Sequence, residues 1–158
     1  LYGLASGGST FYGYAGSSYL LGGGMQDWVA NFRNILAVAS GDGNVAFFTG
    51  GLETNTFYGY ADFSAMTGGT FDNGAMGFNT VYAGGAGTGN VAALFASTGN
   101  NVLTASGSSL QLAYPAAAIN LGDFDQVTAT AGQGGTDTKQ VSAIDFALTT
   151  IGPWIDVS

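Results

Sequence analysis

The chain contains no cysteine and no histidine, and only two basic residues, Arg33 and Lys139, among its 158. Without cysteine there is no disulfide, no thiolate metal site and no thiol nucleophile. Without histidine there is no Ser-His-Asp or Cys-His pair and no imidazole ligand for zinc. Two cations cannot neutralise a run of phosphates, so nucleic acid is excluded as a partner. No apolar run approaches the ~20 residues of a membrane-spanning helix. There is no Asn-x-Ser/Thr sequon. The chain starts at Leu1 with no basic leader, which reads as a processed product or a piece of a longer translation.

What is present is apolar and acidic. Ten carboxylates set a formal net charge of −8, 46% of residues are hydrophobic, and 28 are glycine. That apolar fraction excludes a disordered acidic tail, and no three-residue glycine period of the collagen type occurs.

The chain repeats. Ser9-Thr10-Phe11-Tyr12-Gly13-Tyr14-Ala15 returns as Asn55-Thr56-Phe57-Tyr58-Gly59-Tyr60-Ala61, and Gly43-Asn44-Val45-Ala46 returns as Gly89-Asn90-Val91-Ala92, both 46 residues on. Phe32, Phe78 and Phe124 keep the same interval, as do Ile35, Val81 and Val127. The units span approximately 5–50, 51–97 and 98–144, and residues 145–158 form a non-repetitive tail that is either a cap or a contact segment.

Short runs rich in Phe, Tyr, Val and Thr between Gly, Asn and Ser predict strands, as in Thr56–Ala61, Thr80–Ala83, Val91–Ala96, Val102–Ala105 and Gln126–Thr130. A period of two puts Phe57, Gly59 and Ala61 on one face and Tyr58 and Tyr60 on the other. Met25–Val38 could be drawn as a helix. Its counterpart Phe71–Gly84 carries Asp72-Asn73-Gly74, a turn signature, so the stretch is read as non-helical. Leu110–Asn120 is ambiguous. Strands at a fixed long period predict an all-β fold, a parallel β-solenoid of three ~46-residue repeats. The repeat is one large coil or two of about 23 residues; two, the favoured count, give six to seven coils and about 30 Å of axis, one gives about 15 Å, and equivalent residues stack about 4.8 Å apart.

Asn55-Thr56-Phe57, Gly77-Phe78-Asn79-Thr80-Val81-Tyr82-Ala83, Gly89-Asn90-Val91-Ala92-Ala93-Leu94 and Gly122-Asp123-Phe124-Asp125-Gln126-Val127-Thr128-Ala129 carry a resemblance across most of residues 5–144. They resemble tandem-repeat domains of very long secreted or surface β-solenoid proteins of environmental, planctomycete-like bacteria. The resemblance implies an extracellular or cell-surface location, a matrix role and no catalysis. This chain departs from the pattern by carrying Asn or Thr at many positions where the repeats have Asp.

Calcium is the one cofactor the composition allows, and Asp123 and Asp125, at i and i+2, are its weak candidates on one strand face. They are also the nearest approach to a glycosidase carboxylate pair. With so few cations to bind acidic sugars, no enzyme is expected. Tyr12, Tyr14, Tyr58, Tyr60 and Trp154 are expected to form an exposed aromatic stripe for assembly. No charged or helical cap is evident over residues 1–8, so solenoid ends are expected to stack on copies of the chain. The leading functional expectation is a structural extracellular subunit of a β-solenoid filament or matrix fibre. The alternative is an adhesin or a module binding cell-surface or matrix polysaccharide. A small outer-membrane β-barrel is the third reading.

Overall fold

A computed structural model describes residues 1–2 and 8–157 and shows an all-β solenoid of about four turns, with no helix among them. The first period holds β1 (Thr10–Gly13), β2 (Ser17–Gly22), β3 (Met25–Ala30), β4 (Asn34–Val38) and β5 (Val45–Thr49). The second holds β6 (Thr56–Gly59), β7 (Phe63–Thr67), β8 (Asp72–Met76), β9 (Thr80–Gly84) and β10 (Val91–Phe95). The third holds β11 (Val102–Gly107), β12 (Ser109–Ala113), β13 (Ala118–Gly122), β14 (Gln126–Thr130) and β15 (Asp137–Ile144). The tail adds β16 (Ala147–Ile151) and β17 (Trp154–Asp156). Met25–Val38 and Leu110–Asn120 are therefore both strand.

The strands form two sheets. The larger has ten strands in the order β17-β15-β11-β12-β13-β9-β5-β1-β2-β3, and the smaller has seven, β16-β14-β10-β6-β7-β8-β4. Each period opens with a three-strand antiparallel meander in one sheet, crosses to the other for one strand, and crosses back for the next. Crossings then stack in parallel, Thr10 against Val45, Val45 against Thr80, and Thr56 against Val91.

This geometry corrects two expectations. The solenoid turn is about 35 residues, not 23, because the meander spends two strands folding back on its own sheet. Residues 46 apart are not stacked neighbours either. Phe11 lies in the larger sheet and Phe57 in the smaller, so they face each other across the core. Among the described residues no strand pairs with the outer edges of β3 and β17 or of β4 and β16, which is incompatible with a closed barrel over these strands.

The core lies between the sheets. Phe11, Phe48, Phe57, Phe71, Phe78 and Phe124 are buried there with Leu94, Leu103, Leu112 and Ile119. Ring centroids step 5.8 Å along the larger sheet from Phe11 to Phe48 and then 5.7 Å across the core from Phe48 to Phe57. Each buried Phe contributes roughly 1.5–3 kcal/mol. The period-two reading of residues 57–60 holds: Phe57 and Gly59 point inward, while Tyr58 and Tyr60 are exposed. The turn reading of Asp72-Asn73-Gly74 does not hold, because all three lie inside β8. Asn73 is buried, its amide donating to the Tyr14 carbonyl at 2.9 Å and its Oδ1 accepting from the Ser18 hydroxyl at 3.3 Å, both on the opposite sheet. A polar tie between sheets thus holds a sequence that would otherwise turn.

Corners are set by side-chain amides. The Asn55 N–H donates to Asn90 Oδ1 at 3.1 Å, and the Asn90 N–H donates to Asp125 Oδ2 at 2.8 Å. Ser9, Asn44 and Asn79 repeat this one period earlier, and Asn101 and Asp137 one period later. Asn44, Asn55, Asn90 and Asn101 also tie down the preceding bend, as Asn90 Nδ2 does to the Ala86 carbonyl at 3.0 Å. The buried amides of Asn44, Asn55, Asn90 and Asn101 are thereby satisfied. A left-handed residue recurs at Asn31, Gly77 and Asp123, with φ of 62°, 78° and 59°. At Gly77 a Cβ would also sit 2.1 Å from the Ala39 carbonyl oxygen.

Candidate functional site

Asp123 and Asp125 lie in the bend between β13 and β14, not on a strand face. Asp123 is the left-handed corner residue, and Asp125 is spent as the last acceptor of its amide ladder. Both line a cleft of about 240 Å³ with Asp145, but no group of three or more carboxylates among the described residues is placed to hold a metal ion. The shared-face geometry behind the calcium expectation is therefore corrected, because a positive-φ corner precedes the strand.

The five aromatics do not make one stripe. Tyr12 and Tyr14 lie on the outer face of the larger sheet and Tyr58 and Tyr60 on the smaller, since the repeat exchanges sheets. Trp154 is half-buried against the core and donates its indole N–H to the Ala129 carbonyl at 3.3 Å.

A different row replaces the stripe. Across the larger sheet, Trp28, Tyr19, Tyr12, Phe47 and Tyr82 are successive register partners. Phe47 lies between Tyr12 and Tyr82 with centroids 5.1 Å apart on each side and planes within 10°. The row then turns polar: Tyr82 pairs with Asn120, Asn120 with Gln111, Gln111 with Thr104 and Thr104 with Gln140. Gln111 donates to Asn120 Oδ1 at 2.8 Å, and Asn120 donates to the Val81 carbonyl at 3.2 Å. Beside the row runs a second one of small residues, Thr49, Gly84, Gly122, Ser109 and Ser106. The two enclose a groove of about 670 Å³ with no charged side chain in its lining. Of its residues, Tyr82 belonged to a recognised motif, whereas Gln111 and Asn120 fell in the stretch whose strand state was undecided.

The two ends of the solenoid differ from its middle. At the first, among the described residues, only Leu1 and Tyr2 pair with the outer edges of β3 and β4, running beside Leu36 and Val38. Met25, Trp28, Phe32 and Leu36 are exposed there. Phe32 is 65% exposed, while its equivalents Phe78 and Phe124 are 4% and 5%. Phe78 packs on Phe11 and Phe124 on Phe57, each at 6.2 Å. At the other end β16 and β17 form the outer edges, with Ile151 and Ile155 exposed. Whether residues 1–8 supply a cap lies mostly outside the described residues, which omit 3–7.

The fold places the chain in one class, a two-sheet β-solenoid. No family model, no curated protein and no solved structure matches it.

Proposed function

We propose that the chain is a structural subunit that assembles end to end with copies of itself into an extracellular filament or matrix fibre. The observation that carries this reading is Phe32. The second and third periods bury the same residue against a ring from the first strand of the preceding period. In the first period no ring among the described residues covers Phe32, and an apolar side chain of a neighbouring copy supplies the cover. Exposed strand edges at both ends favour the same contact, since unpaired backbone groups template further strands. A contact between unlike ends does not close on itself and so propagates. Low charge suits stacking, because few side chains along the edges repel their copies: β3 carries one carboxylate, Asp27, and β16 none.

The test is negative-stain electron microscopy and sedimentation of the purified chain at neutral pH, with and without a calcium chelator. Uniform filaments are expected, and Phe32→Asp should leave the circular dichroism spectrum intact while abolishing them. Compact single particles at every concentration would sink the reading. Filaments lost on chelation would assign the contact to calcium instead of to the apolar ends.

A further inference from the structure

We propose that the groove on the outer face of the larger sheet binds a neutral, extended glycan chain lying across the strands. Three observations carry it, none of them involving the solenoid ends.

The first is the floor. Gly84 and Gly122 are register neighbours at its centre, and a Cβ at either would meet nothing within 4 Å. Neither has the left-handed backbone that would demand glycine. Glycine in a strand interior costs roughly 0.5–1 kcal/mol relative to alanine. Here neither packing nor backbone geometry repays that cost, and the visible effect of the missing side chains is an open trough.

The second is the wall. The aromatic row ends at Tyr82, which stacks on Phe47 with one face and has an amide, Asn120, as its neighbour on the other side. Tyr82 remains 44% exposed. An aromatic face beside an open floor accepts the apolar C–H face of a pyranose ring. The rings of Tyr12 and Phe47 are consumed in stacking on each other, so the contact falls at the end of the row.

The third is polarity without charge. Gln111 keeps an acceptor oxygen and a second N–H beyond its bond to Asn120, and Asn120, which also donates to the Val81 carbonyl, keeps one N–H and one acceptor lone pair. Thr104, Ser106 and Ser109 add hydroxyls beside them. Groups that both donate and accept match sugar hydroxyls, which do the same. No lysine or arginine lines the groove, and the chain carries −8 overall, so a uronate or sulfated chain is repelled. The lining rows cross the strands at the spacing of about 4.8 Å between neighbours, so contacts recur along a linear polymer.

The experiment is affinity electrophoresis of the Phe32→Asp chain in gels containing hydroxyethylcellulose, xylan or laminarin, with polygalacturonate as the acidic control. Using the end variant keeps assembly out of the readout, so retention and polymerisation fail independently. Retention by at least one neutral polymer is expected and none by polygalacturonate. Gly84→Leu and Gly122→Leu should each weaken binding about tenfold or more at an unchanged or raised urea midpoint, and Gln111→Ala with Asn120→Ala should weaken it as much. Tyr58→Ala, on the opposite sheet, should change nothing. Absence of retention on all three neutral polymers overturns the proposal. So does retention that survives both leucine substitutions, or a preference for polygalacturonate.

Discussion

The first and second periods carry the same aromatic signals, yet β3 and β8 meet opposite fates. β8 lies inside its sheet between β7 and β4, with Asn73, Gly74 and Ala75 all buried. β3 is the outermost strand of its sheet and is exposed along most of its length. The residues that follow them behave in the same way, Phe78 buried and Phe32 exposed. Burial in a solenoid is thus conferred by the adjoining turn rather than by the residue itself. Sequence equivalence does not imply energetic equivalence.

That contrast can be tested by substitution. Phe78→Ala removes a ring packed on Phe11 and should cost about 3–5 kcal/mol. Phe32→Ala should stay within about 0.5 kcal/mol in dilute monomer. Urea unfolding of both variants checks the pair, and equal losses would break the comparison. Next in size is the corner ladder. Asn90→Ala strips acceptors from the Asn55 N–H and from Asn55 Nδ2, at 3.1 and 2.8 Å, and should cost roughly 2–3 kcal/mol in the same assay.

The third period supplies a pH-dependent case. Burial, with Asp62 nearby as a lesser cause, pushes the Tyr114 phenol well above its ordinary value of about 10. The neutral phenol, donating to the Phe95 carbonyl at 3.2 Å, is favoured in the folded chain. Stability from this group is complete below pH ~10 and is lost as pH rises toward the folded value, by up to about 1.4 kcal/mol per pH unit. Thermal melts from pH 9 to 11 should show that slope, and Tyr114→Phe should flatten it. The smallest effect belongs to Ser9, the first-period counterpart of Asn55. Its buried hydroxyl has no partner among the described residues. Ser9→Ala should therefore lower the unfolding free energy from urea titration by about 0.5 kcal/mol or less, or raise it slightly.

Much of the fold could be read from strand chemistry. Gln126–Thr130 is a strand at the expected limits, and Phe57 points inward as the alternation requires. The fold-back could not be read in this way. β7 and β12 look like any other strand, and nothing local in Phe63–Thr67 or Ser109–Ala113 says that each pairs antiparallel with its neighbours. The 46-residue period was visible, but its conversion into a 35-residue turn depends on those hairpins. The groove was hidden for the same reason, since Gly84, Gly122 and Ser109 become neighbours only through the parallel crossing and the meander. Asp125 shows the reverse case, a carboxylate prominent in sequence whose place in the fold is to end a chain of amide hydrogen bonds.

The sheet exchange is a matter of parity. Each period passes between the sheets three times, so successive periods begin on opposite sides. Three periods are odd in number, and the first and last meanders, β1–β3 and β11–β13, share a sheet, which is why the sheets hold ten strands and seven. A fourth period continuing the same winding would put its meander on the smaller sheet. In a head-to-tail run of such chains the Gly84–Gly122 trough would then swap flanks with every copy. One kind of subunit would line both sides of a fibre with sugar-facing grooves.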